Sequence, residues 1–293
     1  MKTTHTIIIG NSNQMPELRD SSIDLMVTSP PYPMIKMWDT QFLSLNPEIV
    51  PLWKELLTNE NEKILSKIFQ NIHDSLGKTW RETFRVLKDG GLACINIGDA
   101  TRKINGSFRV FSNHSKIIDC CEKIGFITLP YILWKKPTNK PQYRGKNVFL
   151  GSGFLPPNAY VTLDCEFILI FRKGKLRKFT PHDKLRYDSS FTKEQRNEWF
   201  SQIWTIKGAK QKINNIERRI ASFPDEIASR LIRMFSVKND VILDPFLGSG
   251  TTSMQAMKYK RKSIGYEVDK TLISLLKEKL VTTLDSVTFQ INR

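Results

Sequence analysis

The chain has 293 residues, 40% of them apolar, which excludes a disordered polypeptide and allows one large domain, or a domain with a substantial insertion, around a real core. Its 45 Lys and Arg against 29 Asp and Glu leave a formal charge of +16, so a polyanionic partner is expected, nucleic acid before acidic membrane. No run approaches the ~18 apolar residues of a membrane span. The opening MKTTHTIIIGNSNQ has too short an apolar stretch for a signal peptide. The four cysteines, Cys94, Cys120, Cys121 and Cys165, contain no C-x-x-C pair, which argues against a disulfide framework or a zinc site. A soluble, cytoplasmic protein without a metal is expected.

In chain order, Thr6–Gly10 is a short β-like run closed by a glycine. Asp24–Thr28 is a second, ended by Pro30 and Pro31, which cannot continue a ladder. Ile64, Ile68, Ile72, Leu76, Trp80, Phe84 and Leu87 recur every three or four residues, predicting a long amphipathic helix with a candidate break at Gly77. KDGG (Lys88–Gly91) ends it, and LACINIGD reads as a buried strand. Ser112–Ile124 is a second helix and FITLPYILWKK a strand. Pro137–Pro157 is irregular, Cys165–Lys175 strongly β-like, and 176–222 polar and basic with isolated tryptophans. A helix (Pro224–Phe235), a strand (DVILDPF), a helix (Thr251–Lys260), a strand (SIGYEVD) and a helix (Thr271–Leu280) follow. This alternation predicts an α/β fold with a mainly parallel sheet.

The region 137–215 interrupts the rhythm. Between Lys135 and Asp188 stand twelve Lys and Arg against four Asp and Glu, a surplus of eight, which is half of the chain's net charge. Lys135, Lys136, Lys140, Arg144 and Lys146 are the candidate contacts to phosphates. Trp134, beside them, is a candidate for the pocket's edge.

VILDPFLGSGTTSMQAM is the most legible segment of the C-terminal half. A buried strand delivers Asp244 to its carboxyl end, Gly248 and Gly250 allow a tight turn and close approach, and Thr251 and Thr252 are placed to cap the next helix. No Lys follows the second Gly, so this is not a P-loop, and Ser253 breaks the dinucleotide fingerprint. An acid straight after the strand repels a pyrophosphate and suits a cation. Glu267, at the end of the next strand, suits two ribose hydroxyls. A Gly-Ser-Gly alone is a plain turn. With Asp244 and Glu267 in register, a ribose, a positive charge and no phosphate describe S-adenosylmethionine.

TSPPY (Thr28–Tyr32) together with DPFLGSGTT (Asp244–Thr252) resembles the exocyclic amino-DNA methyltransferases, which methylate N4 of cytosine or N6 of adenine. The catalytic motif precedes the cofactor motif with the basic segment between, an order similar to the permuted β class. The resemblance covers nearly the whole chain. It implies a Rossmann-like methyltransferase fold, a twisted, mainly parallel seven-stranded sheet with helices on both faces. Residues 1–136 would form the catalytic half, 137–215 a basic target-recognition region with some core strands, and 216–293 the cofactor-binding half. It also implies that Pro245, Phe246 and Ser249 line the cofactor loop and that Phe223 and Pro224 open a helix against the methionine part. Asn11, where many members have Asp, takes the adenine-side position. Ser29, where adenine enzymes mostly carry Asp or Asn, points to cytosine N4.

The chemistry suits these residues. The target is an aromatic amine whose lone pair is delocalised, so the enzyme must position it and stabilise charge arriving on nitrogen. The Ser29 hydroxyl and Pro30 carbonyl are candidate acceptors for its two N–H bonds. Pro30 and Pro31 aim that carbonyl, and Tyr32 can stack on a base flipped from duplex DNA. No general base is needed, and the sequence shows no His–Asp pair. Met34 and Met37 read as core; Trp38 reads as stacking or core, and Asp39 as a base contact or helix cap. The expected setting is a prokaryotic restriction–modification system with a short palindromic site shared with a cognate endonuclease, the enzyme acting as a monomer or weak dimer. The rival readings are adenine-N6 transfer, a DNA-binding protein with a decayed site, and an RNA or small-molecule methyltransferase. If the strands before Ser29 and Gly248 are neighbours, both loops face one crevice.

Overall fold

The structure, a computed structural model, describes residues 2–59, 61–104, 107–137, 157, 161, 163–208, 223–283 and 286–291. Lys140, Arg144 and Lys146 lie outside them, as does most of the irregular stretch 137–157.

Eleven strands are described: β1 (His5–Ile9), β2 (Ile23–Thr28), β3 (Leu87–Ile97), β4 (Ala100–Ile104), β5 (Ser107–Phe111), β6 (Ile127–Lys135), β7 (Cys165–Arg172), β8 (Ile203–Thr205), β9 (Val241–Asp244), β10 (Lys262–Glu267) and β11 (Val287–Ile291). The helices are α1 (Asp39–Leu45), α2 (Val50–Thr58), α3 (Glu62–Val86), α4 (Asn113–Ile124), α5 (Lys184–Tyr187), α6 (Lys193–Trp199), α7 (Asp225–Phe235), α8 (Thr251–Lys258) and α9 (Ile273–Thr283). Nine strands form one sheet in the order β11-β1-β10-β9-β2-β3-β7-β6-β8, while β4 and β5 make a separate hairpin. Among the described strands of the sheet, only β7 runs against its neighbours, pairing antiparallel with β3 and β6.

This is the Rossmann-like methyltransferase architecture, with nine strands among the described residues where seven were expected. The additions are the edges. Strand β8 has three residues and β11 is mostly exposed, so neither carries the buried apolar run that announces a central strand. Central β2 is buried at all six positions because both faces are covered.

Those faces hold two principal apolar clusters. Trp80, Leu76 and Val86 of α3 and Ile117 and Cys121 of α4 pack on one side with Met26, Ile95 and Phe171. Ile227, Leu231 and Ile232 of α7, with Trp134, Trp199 and Trp204, pack on the other with Leu25, Val27 and Ile170. Trp134 is thus core rather than pocket edge; it is 3% exposed and its Nε1 donates to the Ile206 carbonyl at 2.8 Å.

Helix α3 runs through Gly77 unbroken for 25 residues. A Cβ on Gly77 would stand 3.1 Å from Cys120 Sγ, so the glycine serves close packing of α4. KDGG is likewise not a separate loop. Strand β3 starts at Leu87 and carries it as an irregular end, with a register shift against β2 and Gly90 at φ +80°.

Candidate active site

Strands β2 and β9 are parallel neighbours, with Leu25 opposite Ile242 and Met26 opposite Leu243. The chain continues from β9 to one side through β10 and from β2 to the other through β3, so strand order reverses between them. Ligands of open α/β sheets bind outside the carboxyl ends at such a point. Both unusual loops leave those ends, and a cleft of about 280 Å³ opens there, lined by Ser29 and Pro31 from one loop and Asp244–Ser249 from the other.

One hydrogen bond ties the loops together: Thr28 Oγ1 donates to Asp244 Oδ1 at 2.6 Å, across 216 residues of sequence. The Phe246 amide donates to the same oxygen at 3.1 Å. Asp244 is 3% exposed, and burial raises its carboxyl above the ordinary range, against the opposing hydrogen bonds from Thr28, Thr252 and the Phe246 amide. Glu267, at the end of β10, accepts from the amides of Gly248 and Asp269, both at 2.8 Å. Burial pushes its carboxyl up to about 7.

The expected cofactor residues divide into two sets. Asn11, Phe223, Asp244, Pro245, Phe246, Gly248, Ser249, Thr251 and Glu267 line the cleft. Gly250, Thr252 and Pro224 stand behind it. Helix α8 is capped by Gly250 in the left-handed region at φ +80°, and no side chain caps it. Thr251 and Thr252 therefore do not cap; Thr252 instead reaches down to the Val27 carbonyl at 3.4 Å. Pro224 is the N-cap of α7. Trp38, read as stacking or core, lines the cleft; sequence reasoning missed Gln41, Phe42 and Leu45 of α1 and Ser12, Asn13 and Ser75, which line it too. These short polar and aromatic runs carry no motif. Thr28 stands inside TSPPY, and its partner could have been suspected from the strand pairing alone.

The loop that follows β2 is held from several sides. Asn113 Nδ2 donates to the carbonyls of Pro33 and Gly98, and Arg102 Nε to that of Met34 at 2.9 Å. Met34 is buried and sits at φ +67°, a conformation costly for a non-glycine residue. Met37, read as core, is 47% exposed. Asp39 is not the cap of α1, a place taken by Trp38; its carboxylate is ion-paired with Arg102. Tyr32 is tied through its hydroxyl, donating to Glu166 Oε2 at 2.8 Å and accepting from Asn96 Nδ2 at 2.7 Å and Ser29 Oγ at 3.2 Å. Burial and the charge of Glu166 hold this phenol well above its ordinary range, so it keeps its proton.

Two further expectations change. A His–Asp pair does exist: His114 Nδ1 lies 2.8 Å from Asp99 Oδ1, and the ring stacks on Phe167 at 3.9 Å. It was invisible because 15 residues and a hairpin separate the partners. It lies outside the cleft lining. Of the basic candidates, Lys135 is exposed at the end of β6, whereas Lys136 is ion-paired with Glu166 and lies over the Trp134 ring at 4.6 Å. No helix among the described residues is long and apolar enough to cross a membrane.

The cleft at the switch point is thus lined by two buried acids and by Ser29 and Pro31 of the Ser-Pro-Pro-Tyr loop, while Pro30 and Tyr32 stand outside the lining. A profile of the N6/N4 DNA methylase family matches residues 23–278. The chain belongs to this DNA methylase family. It is 61% identical over 282 residues to the Type II methyltransferase M.MjaI of Methanocaldococcus jannaschii, covering 95% of this chain and 91% of that one. It is 47% identical over 289 residues to the Type II methyltransferase M.MthZI of Methanothermobacter thermautotrophicus, covering 97% and 78%. Among solved structures it is similar to TTHA0409 of Thermus thermophilus, a candidate DNA modification methylase crystallised with S-adenosyl-L-methionine. The identity is 29%, the TM-score 0.72, and the match covers 99% of this chain and all of that one.

Proposed function

We propose that this DNA methylase transfers the methyl group of S-adenosylmethionine to the exocyclic N4 amine of a cytosine flipped from duplex DNA. The single observation that carries the reading is the pairing of β2 with β9, which sets Ser29 and the Asp244–Ser249 loop on one cleft.

The residues present suit the cofactor. Glu267 retains acceptor capacity beyond its two backbone donors and is matched to a ribose diol; Asp244 offers negative charge without a basic side chain on its carboxylate among the described residues. Bound there, S-adenosylmethionine supplies an electrophilic sulfonium methyl. The protein's part is placement. Ser29 Oγ gives its own proton to Tyr32, which leaves its lone pairs as acceptors for one amine N–H, and the Pro30 carbonyl takes the other. With both protons held, the nitrogen lone pair would be freed from the ring to form the N–C bond while the methyl–sulfur bond breaks and its electron pair returns to sulfur; one amine proton would then leave to solvent. Preorganised acceptors of this kind contribute on the order of 10²-fold or more.

Ser29 in the position where adenine enzymes mostly carry Asp or Asn supports cytosine. The two archaeal relatives are Type II methyltransferases, which supports protection of a short palindromic site shared with an endonuclease. Residues 1–136 and 216–293 act as the catalytic and cofactor halves, and the basic 137–215 region, whose strands β7 and β8 belong to the sheet, reads the DNA. DNA methylated by the purified protein, digested to nucleosides and analysed by mass spectrometry, should contain N4-methylcytosine. N6-methyladenine alone would overturn the choice of base. Ser29→Ala should retain cofactor binding and lose transfer by about 10²-fold; an unchanged rate would remove Ser29 from the mechanism.

A further inference from the structure

Glu166 has no place in the mechanism above, yet its carboxylate is tied to the Ser-Pro-Pro-Tyr loop through the Tyr32 hydroxyl. It sits on β7, the strand that runs against its neighbours. Because β7 runs backwards, its first residues lie at the edge where the parallel strands end: Phe167 is opposite Ile97, and Glu166 opposite Trp134. The side chain is 13% exposed. Its Oε2 accepts from the Tyr32 hydroxyl at 2.8 Å and from Asn96 Nδ2 at 2.8 Å, and its Oε1 meets Lys136.

The directions of these bonds are forced. A carboxylate only accepts, so the Tyr32 hydroxyl must donate to it. Asn96 points both amide protons at the pair, one to Tyr32 and one to Glu166, which fills one acceptor site on the phenol oxygen. The remaining site takes the Ser29 proton. Asn96 does this at a cost: its own Oδ1 is buried with no partner among the described residues, and a buried acceptor left unpaired is destabilising. A side chain that gives up its own satisfaction to orient two others fits a functional constraint better than a stabilising one.

We infer that Glu166 is a positioning residue for methyl transfer: by taking the Tyr32 proton it sets the direction of the chain Ser29→Tyr32→Glu166 and so presents the Ser29 oxygen to the target amine purely as an acceptor. The inference rests on the role proposed above for Ser29. It assigns Tyr32 a second duty besides its face, and it gives Lys136, ion-paired with Glu166, the task of holding that carboxylate in place. A Gln at 166 keeps the shape but brings an amide that can donate to Tyr32, which allows the phenol to turn and donate to Ser29. The serine would then aim its own proton at the amine.

The test is steady-state transfer of labelled methyl to DNA by wild type, Glu166→Gln, Tyr32→Phe and the double variant, with cofactor binding measured separately. Glu166→Gln should lower kcat roughly 10- to 100-fold, with the KM for DNA and the affinity for S-adenosylmethionine within about twofold of wild type. Tyr32→Phe, which keeps a flat ring, should do the same. The double variant should be no slower than the worse single one, because both break one chain. Wild-type kcat in Glu166→Gln, or losses that multiply in the double variant, would overturn the inference. If Glu166→Gln does not fold, Tyr32→Phe decides alone, and an unchanged kcat there refutes it. Ser29→Ala run alongside separates the two readings. An inactive Ser29→Ala with an active Glu166→Gln sinks only Glu166, whereas an active Ser29→Ala sinks the parent mechanism.

Discussion

Glu267 should make cofactor affinity depend on pH close to neutrality. Its carboxyl is carried from an ordinary 4.5 up to about 7, chiefly by burial, with the charges of Asp269 and Asp244 adding to the rise. To accept two ribose hydroxyls it must be ionised, since the acid form brings a proton of its own. Above pH 7 the affinity for S-adenosylmethionine should be flat. One unit below, about a tenth of the free protein is ionised, so the Kd rises roughly tenfold per unit, about 1.4 kcal/mol. Titration calorimetry from pH 5.5 to 8.5, in buffers of differing ionisation heat, reads both the slope and the proton released on binding. Glu267→Gln should bind more weakly at pH 8 and lose the slope contributed by this residue. The same shift acts on folding with a definite sign. A raised carboxyl contributes stability that is complete below pH 4.5 and is lost as pH rises through about 7. The move corresponds to about 3 kcal/mol for so buried a group. Without cofactor, wild type should therefore lose up to that amount relative to Glu267→Gln between pH 4.5 and 8. A wild-type binding slope near zero between pH 6 and 8, or an equal slope in the variant, would refute the assignment of the ribose to Glu267.

Other consequences are as direct. Gly250→Ala places a Cβ 2.8 Å from Leu280 Cδ2 at φ +80°; urea melts should show a loss of about 1–3 kcal/mol, with weaker cofactor binding as the loop shifts. His114→Ala removes the stack on Phe167 and the bond to Asp99, and should cost about 1 kcal/mol of stability while kcat stays within about twofold. A large loss of kcat at intact stability would instead make this pair part of the chemistry. Binding to duplex DNA should fall steeply between 50 and 200 mM salt, about 10³-fold if some six phosphates are neutralised, whereas cofactor affinity should barely change. A flat salt response would sever the +16 charge from DNA binding.

What was legible follows from where chemistry sits close together in sequence. Asp244, Gly248 and Gly250 lie within seven residues on one strand–turn–helix, and Glu267 ends the next strand, so the cofactor half could be read without a fold. The catalytic loop was equally compact. Their union across 216 residues needed only the rule that such loops meet where strand order reverses, and the Thr28–Asp244 bond shows them joined. Other features failed for physical reasons. The tryptophan of ILWKK looked like a pocket residue beside lysines, but strand alternation turns Trp134 inward while Lys135 faces solvent. Thr251 and Thr252 looked like caps, but a left-handed glycine ends the loop one residue earlier and buries Thr252 against β2.

Glu166 marks the deeper limit. In CEFILIFRKGK it reads as the polar residue of a strand, and nothing in eleven residues states which way that strand runs. Direction decides everything here. Parallel to its neighbours, the strand would begin at the far edge, with Glu166 distant from every loop that binds. Antiparallel, the same residue comes to the ligand edge and meets Tyr32 across 134 residues. On the proposed roles, the motif TSPPY holds the acceptor, the rigid aim and the ring. The group proposed to orient its hydroxyls stands on β7, inside the basic region 137–215, so a substitution within that region should slow transfer without touching either motif.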